Sequence, residues 1–118
     1  MKASIDMNKG NVVIENDVIA KCAGLKAVEC FGIAGMATIN VKDGLAKLLR
    51  RDSLNRGVNV RVEDNLVYID LHVIISYGVN VNAVGANLKS NVKYEVERIT
   101  GLRVAEVNVF IEGVRVID

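Results

Sequence analysis

The chain has no proline and no tryptophan, a single histidine, two cysteines, two phenylalanines and three tyrosines. Without proline, glycine and asparagine must punctuate its elements. Cys22 and Cys30 stand eight residues apart in a segment of helical periodicity, so they cannot bridge each other without breaking that helix. With one histidine and no CxxC spacing, no zinc site and no cofactor are expected, and the cysteines read as reduced, buried thiols. Lys+Arg 15 against Asp+Glu 14 leaves a net charge of +1. That balance removes the bulk attraction on which dedicated nucleic-acid or anionic-membrane binders rely. No run approaches the roughly 18 apolar residues that span a bilayer, and residues 1–6 lack the apolar stretch of a signal peptide. A cytoplasmic chain with no membrane span of its own is expected.

What is present is a sequence of ordinary globular balance, 51% hydrophobic and 25% charged over 118 residues. That length buries a core without disulfides or metals, and one domain over residues 1–118 is expected. Residues 11–14 form a short apolar run. Asn16 or Asp17 then offers a cap for a helix over residues 17–30, whose stripe is Ile19, Cys22, Ala23, Ala27 and Cys30. Gly32 and Gly35 bracket a turn into a second apolar segment, residues 36–41, read as a strand with a turn or bulge. A short helix over residues 45–51 follows.

The clearest patterns lie in the second half. Val58, Val60 and Val62 alternate with Asn59, Arg61 and Glu63, which is a half-buried strand. A two-residue turn at Asp64 and Asn65 sets Val62 against Val67, Val60 against Ile69 and Val58 against Leu71, all on one side of the sheet. After the long strand at residues 66–77 and Gly78 comes a helix with the stripe Val84, Leu88, Val92, Val96 and Ile99, and with Lys93 and Glu97 spaced for a solvent-side pair. Thr100 and Gly101 stop it. In the closing strand Ala105, Val107, Val109 and Ile111 alternate with Glu106, Asn108 and Phe110. This order predicts an α+β fold, a small mixed β-sheet with helices packed mainly on one face, in which the last strand returns parallel to residues 66–77.

Several of these segments, taken in order, resemble the alkaline-shock protein family, the envelope stress response proteins of Gram-positive bacteria. They are Val18-Ile19-Ala20-Lys21 with Ala23-Gly24-Leu25, Gly32-Ile33-Ala34-Gly35-Met36, Tyr68-Ile69-Asp70-Leu71-His72-Val73-Ile74, Tyr77-Gly78-Val79-Asn80, Thr100-Gly101-Leu102, and Val107-Asn108-Val109 with Gly113-Val114. Each word recurs widely, and their joint order and spacing carry the match. The resemblance implies a non-enzymatic cytoplasmic protein of cell-envelope homeostasis, self-associating and, in some members, held at the membrane by a separate anchor protein. It carries over no catalytic residue.

Opposite the valines the paired strands present Arg61, Tyr68, Asp70, His72, Glu106, Asn108 and Phe110, a polar face with interleaved aromatics. Aromatic and arginine side chains are common interface anchors, so this is the candidate protein-interaction face of an adaptor or scaffold expected to form homo-oligomers. The plain alternative is a solvated outer sheet face. Asp70 and His72 point the same way, yet no GxSxG-like elbow holds a nucleophile near them, and no enzyme is expected. Lys47, Arg50, Arg51 and Arg56, with Arg61 beyond them, form a candidate anion patch. With the GXXG word at Gly32 to Gly35, this patch supports a second reading as a small RNA- or phosphate-binding module, although no basic residue lies between those glycines.

Overall fold

The computed structural model describes residues 2–7, 10–40, 45–48 and 55–116. Among these described residues seven strands and two helices follow one another as β1 Lys2–Met7, β2 Gly10–Glu15, α1 Asn16–Glu29, β3 Ile33–Asn40, β4 Leu45–Leu48, β5 Val58–Glu63, β6 Leu66–Ser76, α2 Val81–Thr100 and β7 Arg103–Arg115. β1 and β2 form a separate antiparallel hairpin, and the other five strands make one sheet.

β6 organises that sheet because it is long enough to serve three partners. Along one edge β5 pairs antiparallel with residues 66–71, and β3 pairs antiparallel with Val73 to Ile75. Along the other edge β7 runs parallel to the whole of β6, so the sheet is mixed, as the sequence predicts. β4 extends the β3 side. The β5–β6 register is the expected one, with Val58 opposite Leu71, Val60 opposite Ile69 and Val62 opposite Val67. Its turn holds both Asp64 (φ 51) and Asn65 (φ 65) in the left-handed region, the type I′ geometry whose twist matches that of the strands.

The inward residues of β6, Val67, Ile69, Leu71, Val73 and Ile75, meet Ile19, Ala23 and Ala27 of α1 and Val84, Leu88, Val92 and Val96 of α2 in one core. α2 starts where the Asn80 Oδ1 accepts the Ala83 N–H at 3.0 Å, and it ends at Gly101, whose φ of 74 lets its N–H reach the Glu97 carbonyl.

Five local expectations are corrected. Residues 45–48 form the strand β4 rather than the start of a helix. Their leucines, alanine and lysine favour a helix, but the open edge of β3 outweighs that weak preference. The cap position of α1 is Glu15 rather than Asn16 or Asp17, and the Asn16 amide donates instead to the Val60 carbonyl at 3.2 Å. The fifth buried position of α2 is Thr100, not Ile99, which is exposed. Glu97 turns from Lys93 to accept the Val104 N–H at 2.9 Å. Finally, Val104 is buried and Ala105 is exposed, because the β6–β7 ladder shifts between Val67 and Tyr68, where β7 carries Ala105 as an extra residue and the inward positions Val104 and Val107 stand three apart instead of two.

Candidate interaction face

Even-numbered residues of β6 point away from the helices. Tyr68, Asp70 and His72 therefore lie in a row, with Arg61 on β5 opposite Tyr68, and Asn108 and Phe110 on β7 opposite Asp70 and His72. The structure brings together all seven residues the sequence assigns to this face, with Glu106 an exposed neighbour of Tyr68.

The side chains interlock across three strands. The Arg61 guanidinium lies 4.7 Å from the centre of the Tyr68 ring, and its Nε is 3.2 Å from Glu63. The Asn108 amide donates to Asp70 Oδ1 at 3.0 Å. The rings of His72 and Phe110 stack with centres 5.0 Å apart and planes 16° from parallel. His72 Nδ1 is 3.0 Å from Glu112 Oε1, and its Nε2 is 3.4 Å from the Asn59 amide nitrogen. An ionised carboxylate can only accept and an amide nitrogen can only donate. Both contacts are therefore met by the neutral tautomer carrying its proton on Nδ1. Through these two contacts His72 ties β5 and β7 to β6 across the face.

Glu112 and Asn59 belong to this network, and sequence reasoning left both out. The signal for each was present. Glu112 continues the alternation Asn108, Phe110 by one more step, and Asn59 falls opposite Asp70 in the register that the valines fix.

Of the candidate anion patch only Arg56 has a described side chain. Lys47 sits on β4, Arg50 and Arg51 lie outside the described residues, and Arg56 is exposed in a single 3₁₀ turn before β5. The GXXG word is not a loop: Gly32 ends the turn after α1, and Ile33 to Gly35 already belong to β3, not to the expected turn. Gly32 has φ +80, and a Cβ there would stand 2.4 Å from a methyl of Val84, which leaves no open loop for a phosphate. Gly35 is buried against β6.

A second surface feature lies between the outer faces of the helices, a groove of about 330 Å³ lined by Cys22, Leu25, Lys26, Glu29, Glu95 and Ile99. Burial pushes the Cys22 thiol up from its ordinary value, nearby Glu95 adds to the effect and Arg98 offsets part of it. Burial likewise raises Cys30, whose Sγ donates to the Lys26 carbonyl at 3.3 Å. Both thiols stay protonated and poorly nucleophilic near neutral pH. Among the described residues no group of His, Cys, Asp and Glu could hold a metal ion.

Residues 4–116 match the model of the alkaline-shock protein 23 family, described as having a cell envelope-related function. The chain belongs to this family. It is 44% identical over 117 residues to the protein YloU of Bacillus subtilis, with 98% of each chain covered. It is 34% identical over 118 residues to the Streptococcus pyogenes protein Spy1614, covering 99% of this chain and 98% of that one. A stress response regulator gls24 homolog of Streptococcus pyogenes shares 34% identity over 110 residues, which are 91% of this chain and 60% of the longer relative. No solved structure matches. As an alkaline-shock family member the chain has a cell envelope-related function, and among its described residues no helix is long and apolar enough to cross a membrane.

Proposed function

We propose that this alkaline-shock family member is a non-enzymatic adaptor or scaffold of the cell envelope, acting from the cytoplasm by protein contact and self-association. The reading rests on one observation, the interlocked face in which Arg61, Tyr68, His72 and Phe110 are held by neighbouring side chains while Phe110 keeps 44% of its surface in solvent. A preordered aromatic and arginine surface loses little side-chain entropy when a partner lands on it, and these residue types anchor interfaces. A partner that itself carries a membrane anchor would bring the chain to the bilayer.

The test is the mass in solution. Light scattering of the Tyr68→Ala, Phe110→Ala double variant should show loss of the higher species that the parent forms, with the helical circular dichroism unchanged. A mass identical to that of an oligomeric parent excludes the face. Contact of this mixed kind should also survive added salt, unlike binding through several phosphates.

A further inference from the structure

Among the described residues β1, β2, β4, β5 and β7 each pair with a single strand, so each keeps an edge that no strand covers. β7 pairs only with β6, and β1 pairs only with β2 in the separate hairpin. A two-stranded hairpin is marginal on its own in water, and an uncovered edge is a template for another strand. The fold covers such groups elsewhere. Val60 sits in a non-hydrogen-bonded pair with Ile69, so its carbonyl faces away from β6, and the Asn16 amide caps it there. At the start of β7 the Glu97 carboxylate takes the Val104 N–H. Beyond that point nothing comparable covers β7 among the described residues, and Phe110, Ile111 and Val114 are 44%, 40% and 57% exposed along this stretch.

Of these strands, β1 and β7 complement each other. With Lys2 opposite Glu112 in an antiparallel pair, Ala3, Ile5 and Met7 fall opposite Ile111, Val109 and Val107, while Ser4 and Asp6 fall opposite Phe110 and Asn108. A slip of one residue sets apolar positions against polar ones. A slip of two in one direction sets Asp6 against Glu106, and in the other it sets Lys2 against Val114. Only this register matches both the alternation and the charges.

We propose that β1 of one molecule adds antiparallel to the free edge of β7 in a second molecule, with Lys2 opposite Glu112. The contact joins two different surfaces, so repetition gives open chains or closed rings rather than isolated dimers. It specifies the self-association in the function proposed above and rests on that part of it, but it does not require the Tyr68 face.

Register-specific cross-linking tests it. In a Cys22→Ser, Cys30→Ala background, Ala3→Cys with Ile111→Cys should give a ladder of disulfide-linked multimers under mild copper-phenanthroline oxidation. The off-register pair Ser4→Cys with Ile111→Cys should give about tenfold less. Mixing a chain that carries only Ala3→Cys with one that carries only Ile111→Cys should give a mixed dimer and nothing longer. With the unaltered chain, a synthetic peptide of residues 1–7 should occupy β7 and lower the mass seen by light scattering. A disulfide formed within one chain, equal yields from both pairs, or a peptide without effect on the mass overturns the proposal. Failure here with loss of assembly in the Tyr68→Ala, Phe110→Ala variant removes the strand contact alone. Success here with no change in that variant removes the face alone.

Discussion

At the scale of single residues, the tightest constraint is Gly32. Its φ of +80 is a conformation that side chains rarely adopt, and a Cβ would press to 2.4 Å from Val84, whose own side chain is fully buried. The Gly32 carbonyl also accepts the Ser76 N–H at 2.9 Å, which ties the α1–β3 turn to the end of β6. Gly32→Ala therefore combines backbone strain with overpacking, and it should cost about 2–4 kcal/mol in urea unfolding. A loss below about 0.5 kcal/mol would mean that the turn yields freely. Thr100 shows the opposite economy, a buried polar group fully used. Its hydroxyl donates to the Val96 carbonyl at 2.6 Å and accepts the Leu102 N–H at 3.1 Å, so one side chain serves both the last turn of α2 and the exit from it.

At the scale of elements, the β5–β6 hairpin was legible because two independent signals agree, the valine alternation and a two-residue turn. Asp64 and Asn65 both carry positive φ, which costs a non-glycine residue free energy that glycine does not lose. Asn65→Gly should therefore stabilise the chain by roughly 0.5–1 kcal/mol, read as a higher urea midpoint with an unchanged slope. A lower midpoint would show that the asparagine side chain matters more than the backbone. The polar-aromatic face was legible for the same reason, since a fixed register determines which residues share a side. Where only one signal existed, the reading failed. Leu45-Ala46-Lys47-Leu48 is too short for periodicity to decide, and the deciding factor was the edge of β3, a partner distant in sequence. The ladder shift that buries Val104 in place of Ala105 left no mark in the sequence, because a bulge is set by the strand opposite. β1 is a different kind of miss. Ala3, Ile5 and Met7 alternate with Lys2, Ser4 and Asp6, a period-2 pattern as regular as that of β5.

At the scale of the whole molecule, the helix layer is joined to the sheet through packing that includes two thiols, and this ties global stability to alkaline pH. Cys30 packs in the core at the end of α1, and Cys22 packs against it from the α1–α2 groove. For both, burial is the first cause of a value raised above the ordinary 9.0, opposed at Cys30 by Lys26 and by a hydrogen bond with Asn91. Below 9.0 the folded and unfolded chains both keep these protons, so the contribution of the thiols to stability is fully present. Above it the unfolded chain releases protons that the folded chain retains. Stability is then lost progressively as the pH rises through the folded values. Tyrosines and lysines also titrate at alkaline pH, so the informative quantity is a difference between proteins rather than a single curve. The urea midpoint of the parent should hold steady near neutral pH and fall above pH 9.0, and the Cys22→Ser, Cys30→Ala variant, less stable at neutral pH, should fall with a shallower slope. Parallel curves for the two proteins would show that the thiols do not couple the helix layer to pH.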